Sequence, residues 1–253
     1  MRAPLSRTRS QLAPSGPPGQ GFASVPDHQP PRQGAARRGA TIADDGIARC
    51  PWGTQPREYR EYHDQEWGRP TADENKTYEK LCLEGFQSGL SWLTILRKRA
   101  AFRTAFSDFD PAIVAGFDEG DVERLLTNSA IVRHRGKIEA AIANARAVLA
   151  LWAEGTTLAE LVWSYEAGSA EPQVPKRRSS VDAPAYLEDL PAATAQSLAL
   201  GADLRRKGFR FVGPTTVYST MQALGVVNDH LVGCHFHEVV AQERARFVPP
   251  RRS

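Results

Sequence analysis

The sequence predicts an all-α fold. From about residue 50 to about residue 240, apolar residues recur at the three- and four-residue spacing of helices, and no alternating strand pattern of useful length occurs. Residues that favour helix starts and glycines that favour helix ends separate these apolar segments. The sequence has no internal repeat and no coiled-coil heptads. We therefore expect one domain of packed helices.

Start and stop signals divide this region into helices. Asp110 before Pro111 is an N-cap followed by a favourable first helical residue, and Gly155 ends a long amphipathic segment. In chain order, the predicted helices are 77–99 with an interruption at Gly89, 111–115, one that begins at Asp118 or Gly120, 136–154, one capped by Thr156 or Thr157, about 194–207, and 214 to about 225.

The two ends of the chain are predicted to lie outside this domain, which spans residues 49–240. Residues 1–48 are rich in Pro, Gly, Ser, Gln and Arg and nearly free of large apolar side chains, so we expect a disordered extension. A basic arm that contacts phosphates is one alternative, and an organelle transit peptide is another, because no acidic residue precedes Asp27. Residues 241–253 are predicted to form a disordered tail. The arginines of such an arm are Arg2, Arg7, Arg9, Arg32, Arg37 and Arg38.

The composition favours a cytoplasmic protein. The 32 Lys and Arg residues nearly balance the 29 Asp and Glu residues, so the net charge of +3 does not by itself indicate a polyanionic partner. No run of about 18 apolar residues exists, which argues against a membrane-spanning helix, and the first residues lack the apolar stretch of a signal peptide. Three widely separated cysteines are a poor basis for disulfides and fit a reducing compartment.

Four side chains form a candidate metal site. Cys50 and His63 lie near the start of the predicted domain, and His230 and Cys234 lie near its end. Such a Cys2His2 set fills the tetrahedral shell that zinc prefers and leaves no position for water, so the metal would be structural. It would join two segments that are distant in sequence.

The spacing of these residues alone is a weak signal, because a lone Cys or His is more often simply buried or exposed than bound to a metal. His235 and His237 remain alternatives to His230 as a nitrogen donor, since both lie close to Cys234. Cys82 lies on the apolar face of a predicted helix, and we expect it in the core.

Four longer motifs carry a resemblance to a known family. They are YHDQEWG at 62–68, CLEGFQSGLSWLTILRKR at 82–99, IVRHRGKI at 131–138 and KGFRFVGPTTVYSTMQALGVVNDHLVGC at 207–234. In this order they resemble DNA-3-methyladenine glycosylase I over nearly all of residues 48–235. The resemblance implies a helix-hairpin-helix glycosylase fold, a structural zinc that joins the N- and C-terminal segments, and a monofunctional enzyme selective for 3-methyladenine.

The resemblance also implies the site residues. The zinc ligands map onto Cys50, His63, His230 and Cys234, and the carboxylate that contacts the base maps onto Glu84. The aromatic pocket maps onto Trp52, Tyr59, Tyr62, Trp67 and Trp92. By pattern alone, Glu84 could be an exposed helix residue, and the helical positions of Trp92 and Trp163 are typical of core packing. We keep the core interpretation for Trp163.

A basic turn is predicted to contact the DNA backbone. Arg133, Arg135 and Lys137 lie where the predicted helix 136–154 begins, and a helix N-terminus favours bound phosphate. A solvated basic turn is the alternative. The spacing of RHRGK differs from that of the Schiff-base lysine of bifunctional glycosylases.

Two features depart from the family pattern. The turn before IVRHRG contains Asn128, Ser129 and Ala130 where the superfamily usually has glycine, and a positive φ at Ala130 would be unfavourable. The segment 167–192, which includes PKRRSS, matches no family motif, so its role is open.

The implied chemistry follows from the positive charge of 3-methyladenine in DNA. Electron-rich rings attract a cation by about 0.5 to 2 kcal/mol, and an ionised Glu84 would accept hydrogen bonds from the flipped base. The family lacks the aspartate with which many glycosylases stabilise the sugar cation, so base departure would depend on the lability of the alkylated base.

The resemblance thus implies base-excision repair of double-stranded alkylated DNA by a monomeric bacterial protein that works at the nucleoid. One rival is a catalytically inactive, zinc-stabilised DNA-binding protein of the same fold. Another is a zinc hydrolase in which one of the four side chains leaves its position to water.

Overall fold

The computed structural model describes residues 37–166 and 183–250. Two short antiparallel strands come first, with Thr41 opposite Arg49. In chain order, the strands and α-helices of the described residues are β1 (Thr41–Ile42), β2 (Ala48–Arg49), α1 (Arg57–Gln65), α2 (Glu74–Gln87), α3 (Trp92–Ala105), α4 (Pro111–Val114), α5 (Glu119–Thr127), α6 (Arg135–Ala153), α7 (Leu158–Trp163), α8 (Ala195–Arg206), α9 (Pro214–Ala223) and α10 (His235–Arg246). Among these helices, none is both long enough and apolar enough to cross a membrane.

Helices α4, α5, α6, α8 and α9 begin and end within two residues of the predicted positions, whereas α1 was not predicted and α3 ends at Ala105, beyond the predicted residue 99. Gly89 adopts a φ of +80° between α2 and α3, which confirms the interruption there. Asp110 and Asp118 cap α4 and α5, because each side chain accepts a hydrogen bond from a backbone amide of the first turn. At α7 the cap is Thr157 rather than Thr156, and its hydroxyl accepts from the amide of Glu160.

Helix α2 packs against α3, α6, α7 and α9, and every residue from 77 to 86 is buried. Tyr78 is fully buried, and its hydroxyl donates to the carbonyl of Ala141 in α6 at 2.8 Å. Phe86 packs against Phe102 of α3 with ring centroids 4.6 Å apart. Burial of each such ring stabilises the fold by roughly 1.5 to 3 kcal/mol. The surrounding helices therefore hold the side chains of α2 in fixed positions.

The ordered domain begins earlier than predicted. Residues 37–48 belong to the predicted disordered extension, yet they contain β1 and the first residue of β2. Arg38 donates to Glu188 at 2.7 Å, and Arg37 pairs with Asp189, which ties this segment to residues 183–190. Two-residue strands are too short to produce an alternating pattern, so the sequence carries no signal for them. Residues 1–36 lie outside the described residues, together with the other arginines of the predicted arm.

The domain also ends later than predicted. Helix α10 runs to Arg246, so the predicted tail begins too early. Arg244 donates to Glu166 at 2.6 Å, and the ring of Phe247 packs on Trp163 with centroids 4.7 Å apart. Trp163 is buried, which confirms its core assignment. Most of the unmatched segment, residues 167–182, lies outside the described residues.

Candidate functional site

Helix α2 presents a buried carboxylate. Glu84 is 6% exposed, and among the described residues its side chain has no hydrogen bond and no ion pair. Burial raises the pKa of Glu84 to about 8, while the positive charge of Lys80 opposes this rise. A buried carboxylate without a partner is unfavourable in a folded protein, so it is typical of a site that receives a ligand.

Aromatic rings gather beside this carboxylate, as the sequence predicts. Trp52 lies 5.9 Å from Tyr59, 6.3 Å from Tyr62 and 4.9 Å from Trp67, measured between ring centroids. Tyr62 lies 5.4 Å from Trp92. The charge of Glu84 acts on Tyr62, because it adds to burial in raising the pKa of the phenol. The structure thus brings all five predicted aromatic residues into one cluster, which we call the aromatic cluster.

Two of these rings come from different helices that a hydrogen bond joins. The hydroxyl of Tyr59 on α1 accepts from the backbone amide of Leu93 in the first turn of α3, at 3.0 Å. Trp92 opens that helix, after the cap residue Ser91. The indole nitrogen of Trp92 is buried and has no hydrogen-bond partner in residues 37–166 and 183–250. A buried donor without an acceptor indicates a second polar group that is free to contact a ligand.

The four predicted metal ligands also meet. The donor atoms of Cys50, His63, His230 and Cys234 all lie within 4.8 Å of one another, and all four residues are buried. The sulfur of Cys234 lies 3.7 Å from Nε2 of His63 and 3.7 Å from Nδ1 of His230. His235 is exposed at the start of α10, and neither it nor His237 joins the group, so the alternative donors are excluded.

The second ring nitrogen of each histidine has its own partner. Nδ1 of His63 lies 2.9 Å from the carboxylate of Asp64, which Arg49 holds with further hydrogen bonds. Nε2 of His230 lies 3.2 Å from the carbonyl of Trp67. These contacts leave Nε2 of His63 and Nδ1 of His230 directed at the two sulfurs. The arrangement can therefore hold a metal with four donors.

The four predicted metal ligands, which we call the metal-ligand group, contact the aromatic cluster. The ring of His63 lies 5.0 Å from Trp52, and the ring of His230 lies 4.7 Å from Trp67. Gly53 allows this approach, because a Cβ there would lie 2.5 Å from atoms of the His63 ring. Whatever fixes the two histidines therefore also fixes one side of the aromatic cluster.

A network of buried charges beside the cluster was missed by the sequence analysis. Lys80 is 3% exposed and pairs with Glu66, which also accepts from Arg99 at 2.6 and 2.8 Å. Despite burial, these two cations lower the pKa of Glu66 to about 2. Arg99 also donates to Glu79 at 2.7 Å. The partners lie on α2, on α3 and at the end of α1, so no local pattern could show that they meet.

Two of the three residues of the predicted basic turn already have partners within the protein. Lys137 is buried, and its ammonium donates to the carbonyls of Phe86 and Ser88 at the end of α2. Its assignment as a phosphate contact is therefore corrected, because the amine is already satisfied inside the fold. Arg135 pairs with carboxylates of α5 and α6, whereas Arg133 is exposed and has no ion pair among the described residues.

The turn before α6 does not need glycine. Ala130 is not among the residues with a positive φ, so the departure at this position carries no backbone strain.

The connection between α8 and α9 has an unusual backbone, with a φ of +90° at Gly208 and +55° at Phe211. Phe211 is held in place from both sides, since Asn144 bonds the backbone of Arg210 at 2.7 and 3.2 Å and Arg205 donates to Val212 at 3.2 Å.

Known proteins are similar to this chain in sequence and in fold. The sequence model of the methyladenine glycosylase family matches residues 52–238. The chain is 47% identical over 188 residues to DNA-3-methyladenine glycosylase 1 of Escherichia coli (strain K12), which covers 74% of this chain and 96% of the relative. It is 42% identical over 186 residues to the DNA-3-methyladenine glycosylase of Haemophilus influenzae, with 74% and 96% covered.

Solved structures agree with these matches. A crystal structure of 3-methyladenine DNA glycosylase I superposes with a TM-score of 0.68 at 48% identity, over 74% of this chain and 98% of that chain. A variant of 3-methyladenine DNA glycosylase I in complex with 3-methyladenine gives a TM-score of 0.66 at 35% identity, over 74% and 96%. The chain therefore belongs to the methyladenine glycosylase family.

Proposed function

We propose that this protein excises 3-methyladenine from alkylated double-stranded DNA by hydrolysis of the N-glycosidic bond, as a step of base-excision repair. The observation that carries the proposal is the buried carboxylate of Glu84 beside the aromatic cluster, which has no partner in the part of the chain that the structure describes. The names of the relatives support it, since they are DNA-3-methyladenine glycosylases and one solved relative holds 3-methyladenine.

Recognition of the base would use its positive charge. Burial favours the neutral acid of Glu84, and a cation that enters the site restores the ionised form, because opposite charges lower the pKa of a carboxyl. The ring faces of Tyr62 and Trp92 add cation–π attraction. Neutral adenine gains neither the attraction to an ionised Glu84 nor the cation–π attraction, so the site discriminates between the two bases.

Access to this buried carboxylate requires that the nucleotide leaves the base stack. Extrusion costs a few kcal/mol and costs less for a damaged base. In the hydrolysis, the bond between the base nitrogen and C1′ of deoxyribose breaks, the electron pair leaves with the base, and water supplies a hydroxyl to C1′ while its remaining proton passes to solvent. The buried position of Lys137 supports a monofunctional reaction, because its amine is held by two carbonyls and is not free to form a Schiff base.

We further propose that the metal-ligand group, with its two cysteines and two histidines, binds one structural zinc. Tetrahedral zinc with ordinary Zn–S and Zn–N bonds places S and N donors about 3.6 Å apart, close to the 3.7 and 3.8 Å found here. Four donors leave no position for water, which disfavours the zinc hydrolase alternative. When bound, the metal would supply a rigid link between the start of the domain and α10, and no chemistry on the base.

The exposed side of the basic turn is the proposed contact to the DNA backbone. Arg133 is free to reach a phosphate, and Arg135 can exchange its surface ion pairs for one, since such pairs contribute about 0 to 1 kcal/mol.

We propose that the protein acts as a monomer. We also propose that it works in the bacterial cytoplasm, because the chromosome lies there.

The proposal is tested by release of free base from methylated DNA, analysed chromatographically, with strand cleavage measured in parallel. Loss of a charge-assisted hydrogen bond in Glu84→Gln should reduce excision about 10- to 100-fold, with an unchanged helical circular dichroism spectrum. Glu154→Gln is the matched control, because this glutamate is exposed and pairs with Lys207 at the opposite end of α6 from the basic turn. Wild-type excision by Glu84→Gln would remove the proposed role of Glu84. Intact binding without any base release by the wild-type protein would favour an inactive DNA-binding protein.

A further inference from the structure

A built-in cation lies inside the aromatic cluster. The ammonium of Lys80 is 4.5 Å from the ring centroid of Tyr62 and 5.6 Å from that of Trp92. Both distances lie within the roughly 6 Å over which a ring attracts a cation. The ammonium is also 3.5 Å from the hydroxyl oxygen of Tyr62. The two rings that would face a cationic base therefore already face a cation of the protein.

Other charged groups fix the position of this ammonium. Glu66 pairs with Lys80 and is itself held by Arg99, which favours this position of the ammonium beside the rings. Arg99 and Arg103 both donate to Glu79, and the charges of Arg99 and Glu79 also act on Lys80. Behind this network lies a cleft of about 640 Å³, lined by Tyr62, Glu66 and Lys80 among others.

Lys80 also acts on Glu84. The two residues are one helical turn apart on α2, so their side chains leave the helix on the same face, with Cβ atoms about 5 to 6 Å apart. Both are buried against Tyr62. Lys80 is the charged group that opposes the effect of burial on Glu84. Burial lowers the pKa of Lys80 to about 8, and Glu66 opposes that change.

We propose that Lys80 is a positioning residue for base recognition, which holds the rings of Tyr62 and Trp92 through its ammonium and favours the ionised form of Glu84. This inference rests on the proposed function, since it assigns a role within the same site. Lys80 does not replace Glu84 as the contact to the base. Its role is to favour the ionised form in which Glu84 contacts the base.

Two neutral variants test the proposal. Lys80→Met and Lys80→Gln remove the charge and keep most of the side-chain length. Glu66 retains both hydrogen bonds from Arg99 in these variants, so we expect them to fold. Lys76→Met is the matched control, because Lys76 is an exposed lysine one turn earlier on α2 that lines the same cleft.

The first measurement needs no activity. Infrared difference spectra of the free protein follow the carboxyl band of Glu84 with pH, and the band is assigned by its absence in Glu84→Gln. Loss of an opposite charge at this distance should raise the midpoint by about one pH unit or more in both Lys80 variants. Lys76→Met should leave it unchanged. An unchanged midpoint in folded Lys80→Met overturns the proposal.

A reciprocal measurement covers the case in which the Lys80 variants do not fold. In Glu84→Gln the nitrogen resonance of the Lys80 ammonium should titrate at lower pH than in the wild-type protein, because the opposing negative charge is gone. An identical titration in both proteins overturns the proposal as well.

The second measurement is the pH profile of 3-methyladenine excision. In the Lys80 variants, kcat/KM should reach its plateau at higher pH, by the same shift as the infrared midpoint. A uniform loss at every pH would indicate a merely structural role and contradict the proposal. Failure of the proposed function has a different signature, since the wild-type protein would then release no 3-methyladenine while the infrared midpoint still shifts in the Lys80 variants.

Discussion

Replacement of Glu84 by Gln is expected to stabilise the folded protein while it removes base recognition. Burial raises the pKa of Glu84 from its ordinary value of 4.5 to about 8, so in this interval the folded state keeps a proton that the unfolded chain releases. The stability of the wild-type protein therefore falls as the pH rises from about 4.5 to about 8. Gln has the shape of the protonated acid and does not titrate, so the variant lacks this loss.

The size of the effect follows from the pKa. One pKa unit corresponds to about 1.4 kcal/mol, so burial of Glu84 costs the wild-type protein about 3 kcal/mol at pH 7 and at most about 5 kcal/mol above pH 8. In a domain of this size, 1 kcal/mol changes the Tm by about 2 to 4 °C. Glu84→Gln should thus melt about 6 to 12 °C above the wild-type protein at pH 7.

Thermal and urea unfolding at pH 5, 6, 7 and 8, followed by circular dichroism, measure this difference. The gap between Glu84→Gln and the wild-type protein should be small at pH 5 and widen at each step. Glu119→Gln, on the surface of α5, should show no such trend. A gap that stays constant with pH, or a variant less stable than the wild-type protein at pH 7, would refute the reasoning.

Four further outcomes are expected. The kcat/KM for excision should rise with pH up to about 8, because the ionised form of Glu84 is required, and a profile that is flat from pH 6 to 9 would contradict this. Cys234→Ser should lose zinc and several kcal/mol of stability, as metal analysis and melting would show. Lys137→Met leaves two carbonyls unpaired and should lower stability by about 1 to 3 kcal/mol, yet it should not change the salt dependence of DNA binding. Gly225→Ala places a Cβ within 2.5 Å of backbone atoms and should destabilise by more than about 3 kcal/mol, whereas Gly155→Ala, with open space around it, should cost about 1 kcal/mol in the same unfolding assay.

The helices were predictable because their signals are local. Capping side chains such as Asp110, Asp118 and Thr157 act on backbone amides within one turn, so a short stretch of sequence contains both partners. The end of the chain was not predictable in this way. Helix α10 buries only Val240, and contacts of Arg244 and Phe247 with distant parts of the fold hold it.

The site was predictable only in part, for the same reason. Helical spacing leaves Glu84 open between an exposed and a buried position, and only the resemblance to a family assigned it to the base. Lys80 lies on the same helix and was missed, because a lysine in an apolar segment ordinarily indicates a solvated face. Its partners Tyr62 and Glu66 lie on another helix and at its end, so the burial of Lys80 is a property of the assembled fold.

The spatial order of the site explains why a metal that does no chemistry would still matter for recognition. His63 and His230 each use one ring nitrogen for the metal-ligand group and place a ring face or edge against Trp52 or Trp67. Trp52 in turn contacts Tyr62, the ring that both Lys80 and Glu84 face. If His63 and His230 shifted, the rings of Trp52 and Tyr62 would move with them. This movement would change the distances from the Tyr62 ring to the charges of Lys80 and Glu84. Because a cation–π contact weakens beyond about 6 Å, a displacement of 1 to 2 Å at the histidines suffices to weaken the preference for a charged base.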